Sequence, residues 1–124
     1  MLLALVVRAD DPHFGNAVFA DNKDGDSPQE IFSSETPEIF LRAELMDVAK
    51  DTELRAAWVA EKTDAAELNY ELNTSKVAVK SDTSFATFSL PKPTTGWPIG
   101  TYRVDLTIND KLSQQLRFKI LKKT

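Results

Sequence analysis

From residue 39 onward, apolar and polar positions alternate with a period of two, while the i, i+3, i+4 spacing of a helical stripe is scarce. The pattern predicts a mostly β chain. Ile39, Leu41, Ala43 and Leu45 share one face of the first segment, with Glu38, Arg42 and Glu44 on the other and Phe40 breaking the alternation. In the next, Leu54, Ala56, Trp58 and Ala60 alternate with Glu53, Arg55 and Glu61, which turns Trp58 inward, although Ala57 and Val59 soften the contrast. Leu68, Tyr70 and Leu72 predict a short strand that Val77–Val79 either continues or follows, beyond the polar Asn73-Thr74-Ser75. A helix competes across Glu61–Glu71, where Ala65, Ala66 and Leu68 have good helix propensity. Ala86, Phe88 and Leu90 then face one way against Thr87 and Ser89.

The last third alternates most regularly. Tyr102, Val104, Leu106 and Ile108 oppose Thr101, Arg103, Asp105 and Thr107, and Leu116, Phe118 and Ile120 oppose Arg117 and Lys119. Between them Asn109-Asp110 is a two-residue turn tolerant of positive φ, so the pair predicts a hairpin. Its closing strand, Lys111–Lys123, reads as a terminal edge protected by outward Arg117 and Lys119. Asp-Gly, Ser-Pro and Thr-Pro breakers mark residues 21–37 as a long polar loop or edge-crossing segment that Ile31-Phe32 can anchor. Near the start, Leu2–Val7 is too short to span a membrane, and no basic stretch precedes it. It reads as a strand or as the tail of a signal segment. About eight short strands punctuated in this way predict an antiparallel sandwich, with Leu41, Leu54, Trp58, Phe88, Tyr102, Val104, Leu106 and Phe118 in its core.

At 124 residues the chain has the size of one domain and can support a core without staples. The absence of cysteine removes disulfides, thiol catalysis and Cys-based zinc sites together. A net charge of −4 opposes a nucleic-acid partner. The charge is unevenly placed: residues 1–38 hold two basic and eight acidic side chains, whereas 111–124 hold five basic and none acidic.

Candidate chemistry is sparse. Asp10, Asp11 and His13 could contribute to a metal site or a metal-dependent hydrolase, but no spacing motif names a fourth ligand. Ser-His-Asp catalysis would have to rest on His13 alone, without a Gly-x-Ser-x-Gly elbow. Asp21–Asp26 invites comparison with a calcium loop, yet placing Gly25 at the sixth position puts Ala20 and Ile31 where carboxylates are required. What remains there is a loose surface calcium site or a simple Asx/Gly turn. Asn73-Thr74-Ser75 matches the glycosylation acceptor pattern, which carries no weight by itself. No cofactor is implied.

The most distinctive segment runs from Phe88 to Val104, with Pro91, Pro93, Gly96, Trp97, Pro98, Gly100 and Tyr102 arranged as a sandwich corner. Trp97 either caps the end of the core or is an exposed platform. In the second case Trp97, Pro98 and Ile99 are the binding residues, in a loop without charge. Together with Ile39-Phe40-Leu41, the Thr52-to-Trp58 segment and Phe118-x-Ile120, the Trp97-Pro98-x-Gly100-x-Tyr102-x-Val104 corner resembles immunoglobulin-like domains of exported bacterial proteins and lipoproteins. The resemblance covers roughly Pro37 to Ile120. It implies an immunoglobulin-like sandwich and an extracytoplasmic setting. The role expected of the chain is a non-catalytic accessory binding or structural one, toward a protein or surface polymer. The resemblance brings no catalytic residues.

Overall fold

The structure is a computed structural model and describes residues 12–80 and 84–123. The strand expected at Leu2–Val7 lies outside these residues, as do Asp10 and Asp11. The described chain is all β: β1 (His13–Ala20), β2 (Ile31–Ser33), β3 (Glu38–Met46), β4 (Glu53–Thr63), β5 (Tyr70–Ala78), β6 (Phe85–Pro91), β7 (Gly100–Ile108) and β8 (Lys111–Leu121). They form a three-stranded sheet in the order β1-β3-β6 and a five-stranded sheet in the order β2-β8-β7-β4-β5.

Alternation specifies the two inner faces. Ile39, Leu41, Ala43 and Leu45 of β3 pack toward Leu54, Ala56, Trp58 and Ala60 of β4 and Tyr102, Val104, Leu106 and Ile108 of β7, all of them buried. All eight residues expected in the core are there. Phe118 is the hub of an aromatic cluster, stacked on Tyr102 at 5.0 Å between ring centroids and meeting Trp58, Phe32 and Trp97 edge-on at 5.9 to 6.2 Å. Such pairs add to the burial of their area.

The expected hairpin is present: β7 and β8 are joined by Asn109 and Asp110 at φ 48° and 69°. Positive φ at both central residues matches the twist of the flanking strands. Asn109 also ties the turn to β4, its Oδ1 accepting from the Glu53 amide at 3.0 Å and its own amide donating to the Glu53 carbonyl.

Several expectations are corrected. Residues 13–20 form β1, a strand hidden from the alternation by a bulge between Phe14 and Ala17. The polar 21–37 stretch contains β2, whose three residues pair with Lys119–Leu121 in parallel, so the sandwich is mostly rather than wholly antiparallel. For the same reason Lys111–Lys123 is not a bare edge, because its last third is covered. No helix forms at Glu61–Glu71; β4 runs on to Thr63. Leu68 lies outside β5 and is 69% exposed. Of the two readings of Val77–Val79, continuation is the one observed: Val77 belongs to the same strand as Tyr70.

Candidate functional site

At one end of the sandwich the proline-rich corner closes the core. Gly100 opens β7 where a Cβ would lie 2.2 Å from the Lys62 carbonyl oxygen, so only glycine lets the two backbones approach. That approach sets the start of β7 and points Tyr102 inward, with its hydroxyl donating to the Pro98 carbonyl four residues upstream. This is the tyrosine-corner arrangement. Burial, reinforced by the negative charge of Asp64, pushes the Tyr102 phenol well above its ordinary range. Trp97 is the core cap of its two readings. It is 2% exposed, its indole donates to the Thr36 carbonyl at 2.9 Å, and its ring meets Tyr102 edge-on. Its ring is therefore not an exposed platform. Of the three residues expected to bind, Pro98 and Ile99 reach the surface, where they line a shallow depression of about 370 Å³ with Glu35, Asp64 and Lys122.

The outer face of the five-stranded sheet carries an ion network. Arg103 donates to Asp105 at 2.8 Å, to Glu61 at 3.2 Å and to Asn69 at 3.0 Å, while Arg117 reaches both oxygens of Glu61 at 3.1 Å. The hydrogen bond from Arg117 does most to hold the Glu61 carboxyl below its ordinary range, with Arg103 helping and partial burial opposing. Bonding to Asp105 in turn raises Arg103. Val59, which the alternation assigns to this outer face beside Arg103, is buried under these long side chains. The network is charge-balanced and internally satisfied, and it holds the sheet face together.

A concavity lies on one flank of the sandwich, between β1 and β8. It is a groove of about 620 Å³ whose walls include Ala17, Phe19, Ile31, Leu116 and Gln114, with Arg117 at its rim. Its origin is the shortness of β2. Pairing on the outer side of β8 begins at Lys119, whose amide donates to the Glu30 carbonyl at 2.8 Å, and among the described residues no strand continues that ladder toward Lys111. In strand geometry alternate residues direct their backbone groups to the same side, so Arg117 and Gln115 present theirs to the groove as Lys119 does to β2. The side chain of Gln114 follows Leu116 in the inward-facing series, and its buried Oε1 has no hydrogen-bond partner. A second hollow of about 300 Å³ continues the groove past Ile31, Arg117 and Lys119. Sequence reasoning missed this flank. The only signal was the uncharged Gln114-Gln115 pair where the alternation called for an apolar inward residue.

Of the other candidate residues, His13 opens β1 beside Met46. Asp21–Asp26 forms a turn in which the Asn22 side chain accepts from the Asp26 amide at 3.2 Å. No group of three His, Asp or Glu residues converges on a metal-sized site among the described residues. Asn73 lies exposed in β5. No helix among the described residues is long and apolar enough to cross a membrane.

The sequence matches no family of known proteins and no curated protein. Solved structures do match the fold. An immunoglobulin-like protein from Pseudomonas aeruginosa superposes with a TM-score of 0.64 at 11% identity, covering 90% of this chain and 97% of its own. The sensor domain of an anti-sigma factor from Pseudobacteroides cellulosolvens gives 0.51 at 12% identity, with 95% and 100% covered. A β-glucosidase from Listeria innocua gives 0.52 at 9% identity, where 91% of this chain corresponds to 16% of the enzyme. The fold is an immunoglobulin-like sandwich.

Proposed function

We propose that this chain is a non-catalytic accessory module that works outside the cytoplasm and binds a protein partner by accepting an extended segment along the open side of β8. The observation that carries the reading is the interrupted ladder. β2 demonstrates that this side of β8 accepts a strand, and it covers only Lys119–Leu121, leaving a groove beside the rest. An incoming strand would satisfy the backbone groups of Gln115 and Arg117, and a donor on it could reach the buried oxygen of Gln114. Main-chain bonds would supply affinity, and the hydrophobic walls at Phe19, Ile31 and Leu116 would select side chains. Support for a setting outside the cytoplasm comes from the resemblance of the Trp97-to-Val104 corner to exported bacterial domains.

The test is selection of linear peptides against the purified protein, followed by mapping of backbone amide shifts. Perturbations centred on Gln115 and Arg117, abolished by Gln115→Pro at unchanged melting temperature, are the expected result. Binding only to a cell-surface polymer, or peptide binding centred on Pro98 and Ile99, would replace this reading. Fractionation of cells producing the native protein tests the setting, and recovery in the cytosol alone would overturn it.

A further inference from the structure

The opposite flank has a different construction. The five-stranded sheet faces only three strands, so β5 projects beyond β6, and among the described residues no strand pairs along its outer edge. Tyr70 and Val77 oppose the inward residues Ala60 and Leu54 of β4, which places both on the inner face, yet they are 52% and 42% exposed. Glu71 and Lys76 oppose Val59 and Arg55 and lie on the outer face, both exposed. A bulge between these pairs, where Trp58 and Val59 of β4 oppose Asn73 and Glu71, makes Leu72 an extra residue.

This pattern is self-complementary. In a two-fold antiparallel pairing centred on Thr74, residues opposite one another must share a face. Asn73 then meets Ser75 of the second copy, and Leu72 is again the extra residue. The register beyond the bulge sets Glu71 against Lys76 and Tyr70 against Val77. Each contact occurs twice by symmetry. Without the bulge, Glu71 and Lys76 would fall on opposite faces and could not meet.

We infer that β5 is a homodimerisation edge, on which a second copy of this chain pairs antiparallel to make one continuous ten-stranded sheet. Two Glu71–Lys76 contacts fix the register on its outer face, and a Tyr70–Val77 contact at each end of the pairing flanks Asn73 and Ser75 on its inner face. Opposite charges directly across a strand pair stabilise it and like charges destabilise it, so both the occupant and the register are specified. The flank at β8 does not offer this option, because residues 111–124 carry only basic charge and two copies would repel there.

Charge exchange tests the inference. Sedimentation velocity across the micromolar range is expected to show a monomer–dimer equilibrium. Glu71→Lys alone and Lys76→Glu alone should each weaken it by about tenfold or more, since each places like charges opposite one another twice. The double variant Glu71→Lys/Lys76→Glu should restore the dimer, and mixing the two single variants should yield a heterodimer. Hydrogen exchange over residues 70–78 should slow with concentration in the wild type. Both substituted positions are exposed, and circular dichroism with melting curves verifies that the variants fold. A wild type monomeric up to high micromolar concentration would overturn the inference. So would dimerisation indifferent to these charges, or dimer-dependent protection appearing on β1, β6 or β8 instead of β5.

Discussion

The two flanks of the sandwich both end in an incompletely covered strand of the same sheet, but they differ in what surrounds it. Beside β8, β1 forms the far wall of a groove lined by Phe19, whose ring packs on Phe118. Beyond β5 no strand lies opposite among the described residues, and the groove toward β6, lined by Leu45, Leu54, Val79 and Phe85, is only about 190 Å³. Charge separates them further, with β8 uniformly basic and β5 alternating Glu71 with Lys76. An open edge therefore does not define its own partner. Hydrogen-bonding potential is common to both flanks, and the side chains around each edge decide whether a foreign strand or a second copy can use it.

The largest expected contrast is in stability. Phe118→Ala removes the ring that touches Phe19, Phe32, Trp58, Trp97 and Tyr102, and should cost about 3–5 kcal/mol in chemical denaturation. Tyr70→Ala on the β5 flank should cost the monomer no more than about 0.5 kcal/mol, since its ring is half exposed. Comparable losses would show that the overhang is part of the core.

A smaller effect is expected at the corner. Tyr102→Phe loses one hydrogen bond to the Pro98 carbonyl and should cost about 1 kcal/mol at neutral pH. The folded-state phenol is held above its ordinary range, so its stabilising share is complete below the unfolded-state value, near pH 10, and falls away as pH rises beyond it. Wild type should thus lose stability more steeply than Tyr102→Phe in alkaline denaturation series, and parallel curves would refute the assignment.

Glu61→Gln probes the sheet face nearest the β8 rim. The Glu61 carboxyl is held low, so its contribution is present at neutral pH and lost as pH falls through its folded-state value, below the usual carboxylate range. The two proteins should differ in melting temperature at pH 7 and converge in acid. A difference independent of pH would point to packing rather than charge.

The smallest stability effect separates fold from function at the groove. Gln114→Leu replaces a buried oxygen without a partner by an apolar group, and should leave stability unchanged or raise it by up to about 1 kcal/mol. It should also weaken peptide capture. A marked destabilisation would mean that Gln114 is structural.

Much of this architecture follows from local pattern. Alternation in β3, β4, β6, β7 and β8 assigned the inner faces and all eight expected core residues, because a period of two leaves one register that buries the apolar set. The β7–β8 hairpin followed from Asn109-Asp110, and the corner from its prolines, Gly100 and Tyr102. Both depend on neighbours in sequence. β1 escaped because the Gly15-Asn16 bulge shifts its phase, and β2 because three residues carry no period; its strand character exists only through pairing with Lys119–Leu121. The register of β5 was hidden by its bulge: Tyr70 opposes Ala60, and Leu72 is the extra residue, packed against the core. Whether Trp97 caps or recognises was undecidable from an aromatic between prolines; the Thr36 carbonyl, 61 positions away in the chain, decides it. Sequence alone determined which residues of the regular strands turn inward, since that is a local consequence of backbone geometry. Which edges remain open, and what lies across from them, was decided only in three dimensions, because it depends on how many strands each sheet recruits and where a ladder stops.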